Sequence, residues 1–150
     1  DLHPRVRRQR QMCIRDSART IRLALKTALG CGIFFFAATL VFNHQIVGLF
    51  IDKSYQAYDI AVNGIPYFAV GYLFFALNIV GIGYYQSIER ARRATVITLF
   101  RGTLFMLAGF LLLPPVLGVR GIWLAVPLAE LLTLLLIIGI YLKDSFTVRR

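Results

Sequence analysis

The sequence is short of acids. Seven Asp and Glu stand against seventeen Lys and Arg in 150 residues, and charged residues make up only 16% of the chain. An average soluble domain carries about 25%. Cysteine is scarce as well. Cys13 and Cys31 form no framework for disulfides or for a metal, and Cys31, inside an apolar run, is expected to be a small packed residue. The two histidines, His3 and His44, lie far apart, and no GxSxG, Walker loop, HExxH or CxxC occurs. Nothing therefore assembles a nucleophile, a phosphate cradle or a metal set. His44 belongs to the polar cluster Asn43-His44-Gln45 and reads as a helix-end residue at an interface. Neither an enzyme nor a cofactor is expected.

What remains is apolar: 58% of the residues are hydrophobic. They fall into four long runs that are almost free of charge. Run A lies between Lys26 and Asp52. Run B extends from Ile60 to Ile88 with no charge. Run C, Ala94 to Leu117, holds only Arg101. Run D, Gly121 to Leu142, holds only Glu130. A helix of about 20 residues crosses a hydrocarbon core of ~30 Å. Helices are the spanning form for such continuous stretches, because each satisfies its own backbone. The expected fold is thus all-α: a polytopic membrane protein with four transmembrane helices in two antiparallel hairpins. Boundaries are expected near Ala18–Phe50, Tyr55–Ser87, Arg92–Pro114 and Val119–Lys143. Pro66 is expected to bend run B.

The net charge of +10 could point to nucleic acid, but its distribution excludes that reading. No face interleaves bases with aromatics. Nine bases (Arg19, Arg22, Lys26, Arg90, Arg92, Arg93, Lys143, Arg149, Arg150) fall at one set of run ends, and only Lys53 and Arg120 at the other. By the positive-inside rule, the B–C loop and the C-terminus are expected in the cytoplasm. The first segment, Asp1–Ser17, is basic and aperiodic. Its RQMCIRDS stretch resembles translated sequencing adaptor, so residues 1–17 are expected to be an extraneous or disordered tail that packs against nothing. The functional region is then 18–150. The absence of an initiating Met fits a truncated reading frame.

Within the runs, a few residues invite chemistry. Glu130 lies near the bilayer midplane, where ionised groups usually face a bundle interior or a wet cavity. It is read as a substrate or proton contact, or as a hydrogen-bonded packing residue. Arg101 is the one base inside a run. With the C–D turn near Gly118, straight antiparallel helices leave it roughly ~9 Å along the axis from Glu130. It is expected to be solvated at the inner mouth rather than paired. Run B carries a stripe at helical spacing, Gly71, Phe74, Asn78, Gly81 and Tyr85. This stripe either packs against a helix or lines a cavity. The candidate substrate or proton contacts are Glu130, Asn78, Tyr85 and Arg101.

These residues also carry a resemblance. An Asn-containing helix ends in Tyr85-Gln86. A basic loop follows (Arg90 to Arg93), then Arg101, a Gly-x-x-Gly-Ile-Trp turn (Gly118 to Trp123), and Pro127 to Glu130, a Pro-x-Ala-acid motif. The series resembles the end of the multidrug and toxic compound extrusion (MATE) transporters, over Ala18 to Arg150. The resemblance implies a twelve-helix fold of two lobes, of which runs A to D match the last four helices, with the N-terminal lobe missing. It implies drug export by alternating access against Na⁺ or H⁺. The partners would be the lipid bilayer, the missing lobe, and small amphipathic or cationic drugs, in a bacterial inner membrane. One branch of the family carries a cation-binding acid in the helix matching run B. The aligned position here is Phe75, so the chain resembles instead the branch whose coupling acid lies in the N-terminal lobe.

Three other functions fit parts of the pattern. A lipid-linked oligosaccharide flippase shares the superfamily fold. A small four-helix exporter shares the helix count, but needs an acid in its first helix, and run A has none. A non-transport membrane assembly subunit would need no midplane acid.

Overall fold

The computed structural model describes the backbone of residues 4–148 and the side chains of residues 19–144. Helix α1 runs Pro4–Val41, α2 Asn43–Gly48, α3 Gln56–Ala69 and α4 Gly71–Ser87. Helix α5 (Ala91–Leu99) passes through a π-helical turn, Phe100–Phe105, into α6 (Met106–Leu117), and α7 runs Val119–Val148. Among the described residues there is no strand. Three helical stretches are long and apolar enough to cross a membrane: Arg19–Val41, Ala91–Leu117 and Val119–Asp144. The fourth span is the pair α3–α4, bent by 42° between Ala69 and Gly71. The chain is therefore an all-α polytopic membrane protein, of four spans when the bent pair is counted as one.

Pro66 lies inside α3, one turn before this bend, so the bend does not fall at the proline where it was expected. Pro66 has no N–H, so the carbonyl of Val62 loses its helical donor. The Nδ2 of Asn43 donates to that carbonyl at 2.7 Å instead. Asn43 can reach it because the first span does not run straight to Phe50, as expected. It breaks at Phe42, and α2 turns Asn43 inward. The break in the first span thus supplies the donor that Pro66 withholds from Val62.

Helix α7 is the hub. In the apolar 18-residue stretches of α1 and of α5–α6 only 11% of residues are buried, but 39% are in that of α7. The central helix presents Ala125, Ala129, Thr133 and Ile137 inward, all buried. Of this four-residue repeat, Ala125, Ala129 and Thr133 are small and let neighbours approach closely, and Ile137 packs into the cluster around Tyr85. Helices α3, α4 and α6 all pack against it, and α1 closes the far side of α4. Cys31 corrects an expectation. It faces out of the bundle, because α1 is an edge helix whose contact with α4 falls at the next residue. A Cβ on Gly32 would lie 2.9 Å from the Tyr72 carbonyl.

Two hairpin ends show how the loops lie. Gly118 closes α6 with φ 61° and ψ −141°, a region that side chains rarely tolerate. The α2–α3 turn and the α6–α7 turn flank one groove, lined by Asp59, Asn63, Tyr67, Arg120 and Trp123 and of about 460 Å³. At the opposite end Arg90 and Arg93, on the α4–α5 loop and its edge, reach Asp144 near the end of α7. The turns therefore alternate between two ends of the bundle. The segment Asp1–Ser17 continues α1 as helix from Pro4. Its packing falls outside the residues whose side chains are described.

Candidate functional site

Three helices meet at Glu130. The residue lies on the buried face of α7, with 5% of its surface exposed. Asn78, on α4, is fully buried opposite it. Both protons of the Asn78 amide are committed: Nδ2 donates to the Glu130 carboxylate Oε2 at 2.8 Å and to the Glu130 carbonyl at 2.8 Å. Arg101 comes from the π-helical turn. Its Nε donates to Oε1 at 2.9 Å and to Oε2 at 3.1 Å, so the two charges form an ion pair whose carboxylate is buried and whose guanidinium is largely so. The guanidinium rests over the ring of Phe75, 4.7 Å from the centroid, a cation–π contact.

The ion pair overturns the expectation that Arg101 is solvated at the inner mouth. That expectation took the α6–α7 hairpin as two straight helices. In the structure the third span holds a π-helical turn at Phe100–Phe105, which alters the register that places Arg101. Such turns are rare and recur at functional sites. A long arginine stem covers the remaining distance, and the side chain stays 18% exposed. A carboxylate at this depth would otherwise stand bare in low dielectric. Paired, the site is formally neutral, and the attraction between the charges offsets part of the cost of taking both out of water.

The stripe on α4 is also explained. Gly71, Asn78 and Tyr85 are all buried, seven residues apart, which is close to two helical turns. Gly71 meets Pro127, and a Cβ on Gly81 would lie 3.0 Å from Ile137. Phe74 is half-buried. The stripe packs against α7. Tyr85 is not part of the Glu130 group. It lies two turns away, in a cluster with Ile82, Ala94, Ile97 and Ile137. Arg93 sits 6.0 Å above its ring, and its hydroxyl is buried with no partner among the protein atoms. His44, exposed on α2, has its Nδ1 3.2 Å from the Tyr58 hydroxyl.

Sequence reasoning missed Asp144. It accepts from Arg90 at 2.5 Å and also pairs with Arg93. The signal was present: an acid at the end of run D and bases at the end of run B belong to the same membrane face. The loop there is tightly made. The Arg90 N–H bonds the Tyr85 carbonyl at 3.0 Å and the Glu89 N–H bonds Gln86 at 3.1 Å, a Schellman cap. Its left-handed residue is Glu89, with φ 59°, where glycine is usual. At the other end, Asp52 accepts from the Ser54 N–H at 2.9 Å and from its hydroxyl at 2.7 Å. These bonds hold the Asp52 carboxyl below its ordinary range.

The arrangement is that of a polytopic membrane protein with a charge-balanced polar centre inside its helix bundle. A family model described as MatE matches residues 14–111, well over half of the chain. The chain belongs to the MatE family, whose members are transporters. Asn78, Tyr85 and Arg101 fall within the matched segment and Glu130 beyond it. The match also reaches four residues into the segment read as a tail. No curated protein and no solved structure matches the chain. Among the described residues, no group of His, Cys, Asp and Glu could hold a metal ion.

Proposed function

We propose that the chain is a C-terminal fragment of a secondary active multidrug efflux transporter. Residues 18–150 would form the last four helices of a twelve-helix protein, with residues 1–17 an extraneous tail. Export would run by alternating access, as drug:Na⁺ or drug:H⁺ antiport. Alternating access generally moves two repeats about a shared midplane site. The missing N-terminal lobe is accordingly the principal partner, and small amphipathic or cationic drugs are the cargo. The bacterial inner membrane is the location, with the C-terminus cytoplasmic. The cluster of Arg90, Arg92, Arg93 and Lys143 at one end of the bundle supports that orientation.

The observation that carries this reading is the Glu130–Arg101–Asn78 group in a chain of a transporter family. A bundle held together by packing alone has no use for an ion pair at its centre, since apolar residues of equal volume serve stability as well. An ionisable pair that can open and close suits a protein that moves charge. The alternative is a lipid-linked oligosaccharide flippase, which a polyvalent cationic cavity in the missing N-terminal half would favour.

The test uses the full-length gene. Glu130→Gln keeps a hydrogen-bonding shape and removes the charge, and Glu130→Leu removes both. Normal expression with loss of pH-dependent efflux in Glu130→Gln is the expected result. Full activity in Glu130→Leu would remove the residue from transport and favour a non-transport assembly subunit.

A further inference from the structure

The choice between Na⁺ and H⁺ turns on what already sits at Glu130. A buried carboxylate needs a cation, and several oxygens gather here. Beside the two carboxylate oxygens, the amide whose Nδ2 is 2.8 Å from Oε2 carries a further oxygen, Asn78 Oδ1, which is buried and has no partner among the protein atoms. Asn78 is 0% exposed, and its amide orientation is set because Nδ2 must face two acceptors on Glu130. A carboxylate and a buried, unsatisfied amide oxygen are donors of the kind that hard cations take. Yet the cation place is filled. The Nε of Arg101 spans both carboxylate oxygens, and the Phe75 ring backs the guanidinium. Among the described residues, Arg101 is the charged group in contact with Glu130.

We propose that Arg101 determines ion selectivity in this lobe: it is the tethered cation of Glu130, it keeps sodium out of the Glu130–Asn78 oxygen cluster, and removing it opens a sodium site there. The guanidinium never loses its charge in a protein. A sodium ion at Glu130 would meet that like charge at ion-pair range in a site of low dielectric, and would need several oxygens in its own shell. A proton needs one lone pair of the carboxylate and no coordination shell. The proton is therefore the cation that can compete with Arg101 for Glu130. The inference deepens the antiport reading and rests on it only for the meaning of a coupling ion. Sodium binding itself is separate from transport.

The experiment measures the thermal midpoint of the 150-residue chain in lipid nanodiscs. NaCl is exchanged for choline chloride at constant ionic strength, and helical content is checked by circular dichroism. A ligand that binds only the folded state raises the midpoint with its concentration. The wild type is expected to be indifferent to the exchange. Arg101→Gln is expected to rise with the logarithm of sodium concentration, Arg101→Lys to stay indifferent, and the double variant Arg101→Gln with Glu130→Gln to lose the response. If Arg101→Gln folds only in sodium, that also supports the proposal. A sodium response in the wild type equal to that of Arg101→Gln would overturn it. So would an Arg101→Gln chain that is folded but blind to sodium, or one that fails in both salts while the double variant folds. Absence of ion-driven efflux in the full-length protein would count against the antiport reading and leave the sodium result standing.

Discussion

Arginine meets carboxylate at two depths in this molecule, and the two places obey different rules. At the end of the bundle, Arg90 and Arg93 share Asp144 with side chains 43%, 36% and 20% exposed. At its centre, Arg101 meets Glu130 at 18% and 6%. The chemistry is the same and the solvent is not. Water and salt screen the outer group, so little free energy depends on its geometry. At the centre neither charge has an alternative partner in lipid, so removal of one strands the other. The outer group is best read as a fastening between the α4–α5 loop and α7, and the inner one as the organising point of three helices.

The largest effect that would sharpen this contrast comes from Arg101→Ala or Glu130→Leu. Either is expected to destabilise the chain by about 3–5 kcal/mol, the range for breaking one side of a buried pair, measured by unfolding in mixed micelles. A loss no larger than that of a surface pair would erase the distinction between the two depths. Asn78→Ala comes next. It deletes the donor to the Glu130 carboxylate and carbonyl, for an expected loss of about 1–3 kcal/mol. If the loss were negligible, the amide would be a bystander to the ion pair.

At the exposed end, the backbone should matter more than the charges. Glu89→Gly relieves a side chain at positive φ and is expected to stabilise by about 1 kcal/mol. Asp144→Ala is expected to cost about 0–1 kcal/mol and to cost less still in high salt. A salt-independent loss of several kcal/mol there would mean that the outer group also works in low dielectric. The smallest effect concerns Asp52, fully exposed in the α2–α3 turn. Its carboxyl titrates below its ordinary value because the Ser54 N–H and then the Ser54 hydroxyl bond the charged form. Its contribution is thus present above the unfolded value near 3.8 and disappears as pH falls through the lower folded value. Ser54→Ala removes the hydroxyl bond and keeps the N–H bond, so it should reduce the acid limb of a stability–pH profile below about pH 4 only in part, and Asp52→Asn should remove it; an unchanged limb in Asp52→Asn would discount the turn.

The four spans were legible because charge-free runs of twenty or more residues leave no alternative to a membrane helix. Glu130 stood out for the same reason, as one acid in one such run. The joints were not legible. The break at Phe42 becomes favourable only once Asn43 meets the Val62 carbonyl that Pro66 leaves without a donor, a match between residues on different spans. The reach of Arg101 was misjudged for a related reason. Hairpin register can be counted from the turn only if both helices stay regular, and the π-helical turn at Phe100–Phe105 breaks that count. Asn78 and Glu130 were each singled out, but no periodicity links a residue on α4 to one on α7. Tyr85 was grouped with them by spacing along one helix. That spacing fixes the face it shares with Asn78, and the two intervening turns separate it from Glu130.

A double-mutant cycle between Arg101 and Glu130, each changed to Gln singly and together, tests the central claim most directly. The chain would be held in lipid nanodiscs and its unfolding free energy measured for all four forms. The account predicts a coupling of about 3 kcal/mol or more, with the double variant more stable than either single one. A coupling under about 1 kcal/mol, the range of exposed pairs, would contradict it and reduce Glu130 to an isolated acid that the bundle tolerates.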